Sequence, residues 1–474
     1  MKRKWLAFLL AVTLIASIMT TGVAAAEESA DALAQHASAS AAADALYSGL
    51  WNCQERIDLR PYDVTVDQLS DMYYQTAWLS PELFHLSDRY SYSFNNNRVI
   101  EVHPTYTVTG EPLLQMRAAY EQKLSEIAAG VDTAWSDLEI ALYLHDYLVA
   151  HYAYDTTYTH YDAYTLLTTG TGVCQAYALT YMALLQRFSI PVDYVVSDAM
   201  NHAWNAVQLD GHWYHVDVTW DDPVGQSYGV VSHRNFLLSD AAMLAQASPH
   251  HDWQFTQQAR VCSDTRYDAA MWMQVYTPFV PLQGQWYYIA QQENGNYALC
   301  ATDWQRSQPV LPMTDRWSAG ESSYWLGSYA GLGQHNGRLL WNTPDAIVSW
   351  NPQTGDTTTV FENTDSCQLY GLTVDGAQVT YVRKASPNEQ EEQRGVLMLS
   401  TALNPTTVWG DVDGNGVVTG ADALLVLRAA AGELALNEQQ QRLADVDGQA
   451  GVTILDALYI LQYVSGQVTA LPAA

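Results

Sequence analysis

The chain is poor in cysteine. Its 474 residues include five, Cys53, Cys174, Cys262, Cys300 and Cys367, and no CxxC pair occurs. That absence removes support for a zinc ribbon or a thioredoxin-type dithiol, which need closely spaced thiols. Positive charge is scarce too: 21 Lys and Arg stand against 51 Asp and Glu, for a formal net charge of -30. A surface of that sign repels nucleic acid and anionic lipid, so neither is expected as a partner. Charged residues make up only 15% while aromatics reach 12%, a composition of folded domains with large cores and not of a disordered acidic polymer. Beyond Ala26 no apolar run approaches the length that spans a bilayer.

What is present begins with a basic start (Lys2, Arg3, Lys4), an uncharged run from Trp5 to Met19, and Val23-Ala24-Ala25-Ala26 before Glu27. This order predicts a secretory signal peptide over residues 1–26, removed to leave an exported protein free of the membrane. The odd cysteine count then leaves one thiol unpaired. Cys174 is the natural candidate, and the other four allow three disulfide connectivities.

The length predicts two or three domains. Residues 27–45, rich in Ala and Ser, read as a linker or a loose amphipathic helix. Residues 46–260 read as one α+β domain. The i, i+3, i+4 spacing of Ile140, Ala141, Tyr143, Leu144, Tyr147 and Leu148 predicts a helix over 138–150, capped by Ser136 or Asp137. A second helix is predicted from Cys174 to about Phe188, before Pro191. Strands follow at 192–196, 202–209 and 212–220, the last two joined by Asp210-Gly211, a strong hairpin signal. From 265 to 405 short aromatic strands alternate with Asn294-Gly295, Asn336-Gly337 and Asp375-Gly376. That pattern predicts an all-β domain, a sandwich or a partial propeller-like packing. Residues 408–468 form a last, small helical unit.

Chemistry concentrates between Gly172 and Asp222. Cys174 stands where a loop containing Gly170 and Gly172 enters a helix, and a helix N-terminus stabilises a thiolate. A two-residue loop at Asp210-Gly211 places Leu209 opposite His212, Trp204 opposite Asp217 and His202 opposite Thr219. Alternation then puts His202 and Asp217 on one face as diagonal neighbours, about 7–8 Å apart. An Asp carboxylate can hold one ring nitrogen of a histidine while the other faces a thiol. His215 shares that face, and a β-bulge would shift the parity, so the spacing leaves the choice of histidine open.

Gly172-Val173-Cys174-Gln175-Ala176-Tyr177-Ala178, His202-Ala203-Trp204-Asn205-Ala206-Val207 and Trp213-Tyr214-His215-Val216-Asp217-Val218-Thr219-Trp220-Asp221-Asp222 together resemble the bacterial transglutaminase-like superfamily, with its papain-like Cys-His-Asp core. The resemblance extends over roughly residues 130 to 245, with Ala176 where glycine is usual. It implies Cys174 as nucleophile, His202 as general base and acid, and Asp217 as the residue that orients it. The implied reaction is acyl transfer through a thioester, with hydrolysis of peptide or isopeptide bonds in a protein substrate expected first. Protein crosslinking, or a non-catalytic scaffold-borne binding module, are the alternatives.

The C-terminus contains a duplication with an offset of 34: Asp411-Val412-Asp413-Gly414 corresponds to Asp445-Val446-Asp447-Gly448, and Asp422-Ala423-Leu424 to Asp456-Ala457-Leu458. Oxygen ligands at loop positions 1, 3, 5, 7, 9 and 12 suit calcium. The first loop offers Asp411, Asp413, Asn415, Val417 (carbonyl), Thr419 and Asp422. The second offers Asp445, Asp447, Gln449, Gly451 (carbonyl), Thr453 and Asp456. The pair resembles a type I dockerin. That resemblance implies two calcium ions and attachment to a cohesin domain of a cellulosome-like scaffold outside the cell. Selectivity for the partner would lie at Gly420, Ala421, Ile454 and Leu455.

Overall fold

The computed structural model describes residues 30–222, 229–257, 259–320, 323–324, 328–389, 392–399, 409–413, 418–432, 434, 436, 438–449, 451–468 and 470–471. The expected signal segment 1–26 and the calcium ligands Asn415 and Val417 lie outside the described residues. The chain divides into two compact units after Ala118.

In the first unit, α1 (Ala30–Trp51) and α2 (Val66–Trp78) cover an antiparallel sheet of β1 (Ile57–Asp58), β2 (Leu86–Asn95) and β3 (Arg98–Tyr106), in the order β1-β3-β2. Thr65 and Gln68 form a reciprocal capping box that starts α2. Ala42, Leu46 and Leu50 of α1 recur every fourth residue and are fully buried with Ile57, Leu69, Tyr73, Val99 and Val102. Here the structure differs from the sequence reading. Residues 30–45 are helical, the second of the two readings of that stretch, and 46–118, expected to share one domain with the residues that follow, have a core of their own. The physical reason is the apolar stripe of α1, which must be buried once it forms.

Helix α3 (Gly110–Ala128) crosses the division. The second unit continues with α4 (Asp137–His151), α5 (Ala163–Thr169) and α6 (Cys174–Arg187). A five-stranded antiparallel sheet follows, made of β4 (Val192–Ser197), β5 (His202–Leu209), β6 (His212–Val216), β7 (Phe236–Leu238) and β8 (Gln254–Phe255), in the order β8-β4-β5-β6-β7. Helix α7 (Asp240–Ala245) follows β7. Every residue of α6 from Ala176 to Leu185 is buried, because α6 lies between the sheet and α4. Tyr181 donates from its hydroxyl to the Ala141 carbonyl on α4 at 2.9 Å, and Asn205 of β5 donates to the Ala178 carbonyl at 3.1 Å.

The β-rich region is a chain of antiparallel meanders: four strands over 280–313, four over 332–362 and three over 368–398. The middle sheet is apolar on both faces. Leu339, Trp341 and Trp350 pack with Tyr287, Ile289 and Leu299 of the first sheet, while Leu340 and Ile347 pack with Leu372, Val379 and Tyr381 of the third. Stacked antiparallel sheets match the all-β domain expected from the sequence, a sandwich or a partial propeller-like packing. Farther on, α8 (Gly420–Ala430), α9 (Glu438–Ala444) and α10 (Ile454–Val464) bury Val412, Val426, Ala444, Val446 and Ile460. No helix of the described residues is long and apolar enough to cross a membrane.

Glu139 joins α4 to the β-rich region. Its Oε2 caps α4 through Ser136 at 2.8 and 2.7 Å, while Oε1 accepts from the Trp286 and Trp304 indoles at 2.9 and 3.0 Å. Glu139→Ala should lower the stability of this unit by roughly 1–3 kcal/mol, from the lost cap and charge-assisted bonds. Trp304→Phe should cost less. Thermal unfolding of the three proteins checks the order, and an unchanged midpoint in Glu139→Ala would refute it.

Candidate active site

Cys174 is placed by a tightly constrained approach. Gly170 ends α5 with φ +83°, and a Cβ on Gly172 would lie 2.7 Å from the Ala176 methyl and 2.9 Å from Leu166 Cδ1. Only glycine fits at 172, and the small Ala176 is what packs against it. The Val173 amide donates to the His160 carbonyl and the Asp155 amide to the Gly172 carbonyl, each at 2.9 Å. Val173 caps α6 without any side-chain acceptor. The half-buried Cys174 thus opens the first turn of a 14-residue helix, where backbone N–H groups concentrate positive potential.

The hairpin register is the one its two-residue loop requires, from Leu209↔His212 to Asn205↔Val216. Asp210 (φ +50°) and Gly211 (φ +82°) supply the left-handed pair of a type I′ turn. The ladder stops there, however. The expected strand over 212–220 ends at Val216, and the pairs Trp204–Asp217 and His202–Thr219 are replaced by a turn. Asp217 instead donates its amide to the Asn235 carbonyl at 3.0 Å and accepts from the Asp221 amide at 3.2 Å. The turn swings its carboxylate back to His202, whose Nε2 lies 2.6 Å from Asp217 Oδ2.

His202 Nδ1 is thereby left as the nitrogen for Cys174. Burial alone would depress the His202 pKa, but the charge and hydrogen bond of Asp217 outweigh it, Cys174 adds to them, and the ring is pushed up to about 10. Burial works against ionisation of Asp217 as well. The His202 charge and the hydrogen bonds of His202 and His250 overcome it and hold the carboxyl well below the usual range. Trp204 and Trp220 flank the His202 ring, with centroids 5.5 and 5.4 Å away.

His215, the rival left open by the spacing, is differently engaged. The Trp204 indole donates to its Nδ1 at 3.0 Å, and its Nε2 lies 2.9 Å from Asp240 Oδ1. Fully buried, with both nitrogens occupied and its pKa lowered by burial, it is a poor base. All five cysteines are free thiols, so none of the three disulfide connectivities forms. A cavity of about 790 Å³ between α4 and the β-rich region contains none of Cys174, His202 and Asp217.

Residues that sequence reasoning passed over complete the surroundings. His250 Nε2 lies 2.8 Å from Asp217 Oδ2. His145 bridges two carboxylates, with Nδ1 2.9 Å from Asp146 and Nε2 3.1 Å from Asp221, and His233 Nε2 is 2.9 Å from Asp146. Burial opposes the charged form of His145, but the two carboxylates push it up to about 9. Tyr177, one turn beyond Cys174, donates to Asp222 at 2.5 Å, and burial pushes that carboxyl up to about 7. The sequence signals for this network were Tyr177, Asp221 and Asp222, quoted among the motifs of the resemblance but given no role there.

In the C-terminal repeat, Asp411, Asp413 and Asp422 converge, as do Asp445, Asp447 and Asp456, with ligand atoms all within 4.8 Å of one another in each group. Asp422 accepts from the Val412 and Asp413 amides at 2.8 and 3.0 Å, and Asp456 repeats this with Val446 and Asp447 at 2.8 and 3.0 Å. Thr419 and Thr453 cap α8 and α10. Gln449 and Gly451 point their amides at Asp447 and Asp445, at 2.8 and 3.0 Å. Gly420, Ala421, Ile454 and Leu455 are exposed at the two helix starts.

Comparison with known proteins agrees with this layout. The sequence profile of the transglutaminase-like superfamily matches residues 125–218, and that of the dockerin type I domain matches residues 409–465. The chain therefore carries a transglutaminase-like domain and a C-terminal type I dockerin domain. No curated protein matches. Among solved structures, the chain is similar to the Acetivibrio cellulolyticus ScaB dockerin in complex with the third cohesin of ScaC. Identity there is 37% over 14% of this chain and 92% of that one, with a TM-score of 0.13. A transglutaminase structure matches at 16% identity over 33% of this chain and 48% of that one, TM-score 0.21. A candidate cysteine protease from Cytophaga hutchinsonii matches at 15% identity over 28% and 61%, TM-score 0.18.

Two outcomes follow from the histidine–carboxylate network. Removing one partner of a buried ion pair strands the other, so Asp221→Ala should destabilise by about 3–5 kcal/mol, and chemical denaturation measures it. The folded pKa of His145 is raised from 6.5 to about 9. Its stabilisation is therefore complete below the unfolded value and lost as pH rises through about 9. Thermal midpoints should fall across that window, and His145→Gln should flatten the decline.

Proposed function

We propose that this protein is a cysteine acyltransferase acting through Cys174, His202 and Asp217, and that its first reaction is hydrolysis of peptide or isopeptide bonds. The observation that carries the reading is the His202 ring. One nitrogen is held by a buried carboxylate at 2.6 Å, and the other is left for a thiol at a helix N-terminus. The Cys174 thiolate attacks the amide carbonyl carbon, and the first-turn N–H groups of α6 face the developing oxyanion. His202 passes its proton from Nδ1 to the departing amine, leaving a thioester. It then takes a proton from water, which attacks the thioester, releases the acid and restores the thiolate beside the imidazolium. Asp217 fixes the tautomer throughout.

The dockerin would carry the enzyme to a cohesin-bearing scaffold outside the cell. Each of its loops gathers three carboxylates into an all-oxygen donor set, which fits the hard calcium ion. Asp411, Asp413 and Asp422 would hold one ion, with Asn415, Val417 and Thr419. Asp445, Asp447 and Asp456 would hold the other, with Gln449, Gly451 and Thr453. Bound calcium neutralises the loop charge and fixes the helix starts that present Gly420, Ala421, Ile454 and Leu455 to the cohesin.

Alkylation by iodoacetamide near neutral pH should be faster at Cys174 than for free cysteine and absent in Cys174→Ala. Asp217→Asn should lower turnover roughly 10²- to 10⁴-fold. A Cys174 no more reactive than free cysteine overturns the enzyme reading in favour of a binding module. Mass spectrometry of peptidoglycan, plant-wall protein and casein after incubation distinguishes released peptides from crosslinks. Calorimetry of the full chain should show two calcium-binding events, one lost in Asp422→Ala and the other in Asp456→Ala. A titration without heat of binding refutes the calcium assignment.

A further inference from the structure

The orienting carboxylate of the candidate triad serves two histidines. Asp217 is fully buried, and its Oδ2 meets His202 Nε2 at 2.6 Å and His250 Nε2 at 2.8 Å, while Oδ1 accepts from the Trp220 amide at 3.1 Å. We propose that His250 is a positioning residue for the Cys174–His202–Asp217 constellation, supplying from Nε2–H the second hydrogen bond that fixes the Asp217 carboxylate. This rests on the enzyme reading above but concerns a residue that the reading does not use.

Three observations carry it. First, His250 is 0% exposed and packed against two indoles, with the Trp220 ring 4.1 Å away and the Trp204 ring 4.9 Å away, edge-on. Second, its backbone is held on both sides. The His250 amide donates to the Met243 carbonyl at 3.3 Å, and the Ser197 hydroxyl donates to the next carbonyl, that of His251, at 2.8 Å. Third, its Nδ1 is buried and has no hydrogen-bond partner among the described residues. A buried polar atom without a partner costs about 1–3 kcal/mol, so packing has not optimised this side chain for its own satisfaction. The bond to Asp217 is the one polar contact the ring makes through its nitrogens. A proton on Nε2 meets that geometry, and a proton on Nδ1 would be a stranded donor.

The effect on the reaction is electrostatic as well as geometric. A carboxylate oxygen shared between two donors pulls less strongly on either one. His250 therefore holds Asp217 in place while limiting how tightly His202 keeps its proton, which His202 must surrender to the leaving amine. The charged and titratable groups around His250 are Asp217 and His202, with His215 and its partner Asp240 beyond Trp204.

The test uses the full chain with His250→Phe, which fills the space without a donor, and His250→Gln, which keeps one. Alkylation of Cys174 by iodoacetate is followed against pH. Attack by this anion is aided by the neighbouring imidazolium and fades when His202 deprotonates. In His250→Phe the maximal rate should fall about tenfold, the order of one charge-assisted hydrogen bond, and the alkaline limb should move to higher pH. His250→Gln should recover both. Nitrogen-15 NMR of the histidines gives a reading independent of thiol reactivity. The His202 Nε2 proton should shift in His250→Phe and stay near its wild-type position in His250→Gln. Equal behaviour of the two variants, or no change in either, overturns the proposal. A wild-type Cys174 without enhanced reactivity would instead sink the enzyme reading, and the NMR comparison would still decide the role of His250.

Discussion

Burying a carboxylate is costly unless it is paired, and the turn from Asp217 to Asp222 buries or half-buries three. Each one recruits a different part of the second unit. Asp217 draws in His202 at the start of β5 and His250 from the segment after α7. Asp221 takes His145 from α4 and the Ser232 and Asn235 groups from the approach to β7. Asp222 takes Tyr177 from α6, the helix that Cys174 begins. A six-residue turn is thus the point where two helices and two strand ends are tied together. The same turn that pairs Asp217 with His202 pairs Asp222 with the helix that Cys174 begins.

The network also separates histidines of one chemical type into distinct states. His145, between two carboxylates, is pushed up to about 9 and belongs to the scaffold. His215 is held by an indole N–H on Nδ1, which can only donate, and burial lowers its pKa. His202 has a carboxylate on one nitrogen, and its other side is left for a thiol. Neighbours that donate or accept therefore decide which ring can shuttle a proton. Position along the hairpin does not decide it, since His202 and His215 share a face.

Much of this was legible. The Asp-Gly loop gave the correct register, and the order of Cys174, His202 and Asp217 with their flanks gave the superfamily. The Asp422/Asp456 correspondence gave the dockerin, because a repeated acidic loop has few other uses. Three things were not legible, for separate reasons. The end of β6 at Val216 is set by Asp217 leaving the ladder to satisfy its carboxylate, a tertiary demand without a local signal. His250 lies 33 residues beyond Asp217 and belongs to no motif. That helix α1 packs into a core of its own was hidden by its Ala and Ser content, although Ala42, Leu46 and Leu50 carried the four-residue spacing of a buried face.

Aspartate is also the organising residue of the dockerin, but there the charge is compensated differently. Asp422 and Asp456 are fully buried and accept backbone amides from the loop start and from the capping threonine. No histidine accompanies them among the described residues of either cluster. Amide donors carry no charge, so the three converging carboxylates of each loop keep their mutual repulsion until a cation relieves it. In the transglutaminase-like domain the compensating groups are imidazoles that are covalently part of the chain. The two domains therefore settle buried aspartates by different means, side-chain imidazoles around Asp217 and Asp221 and backbone amides around Asp422 and Asp456.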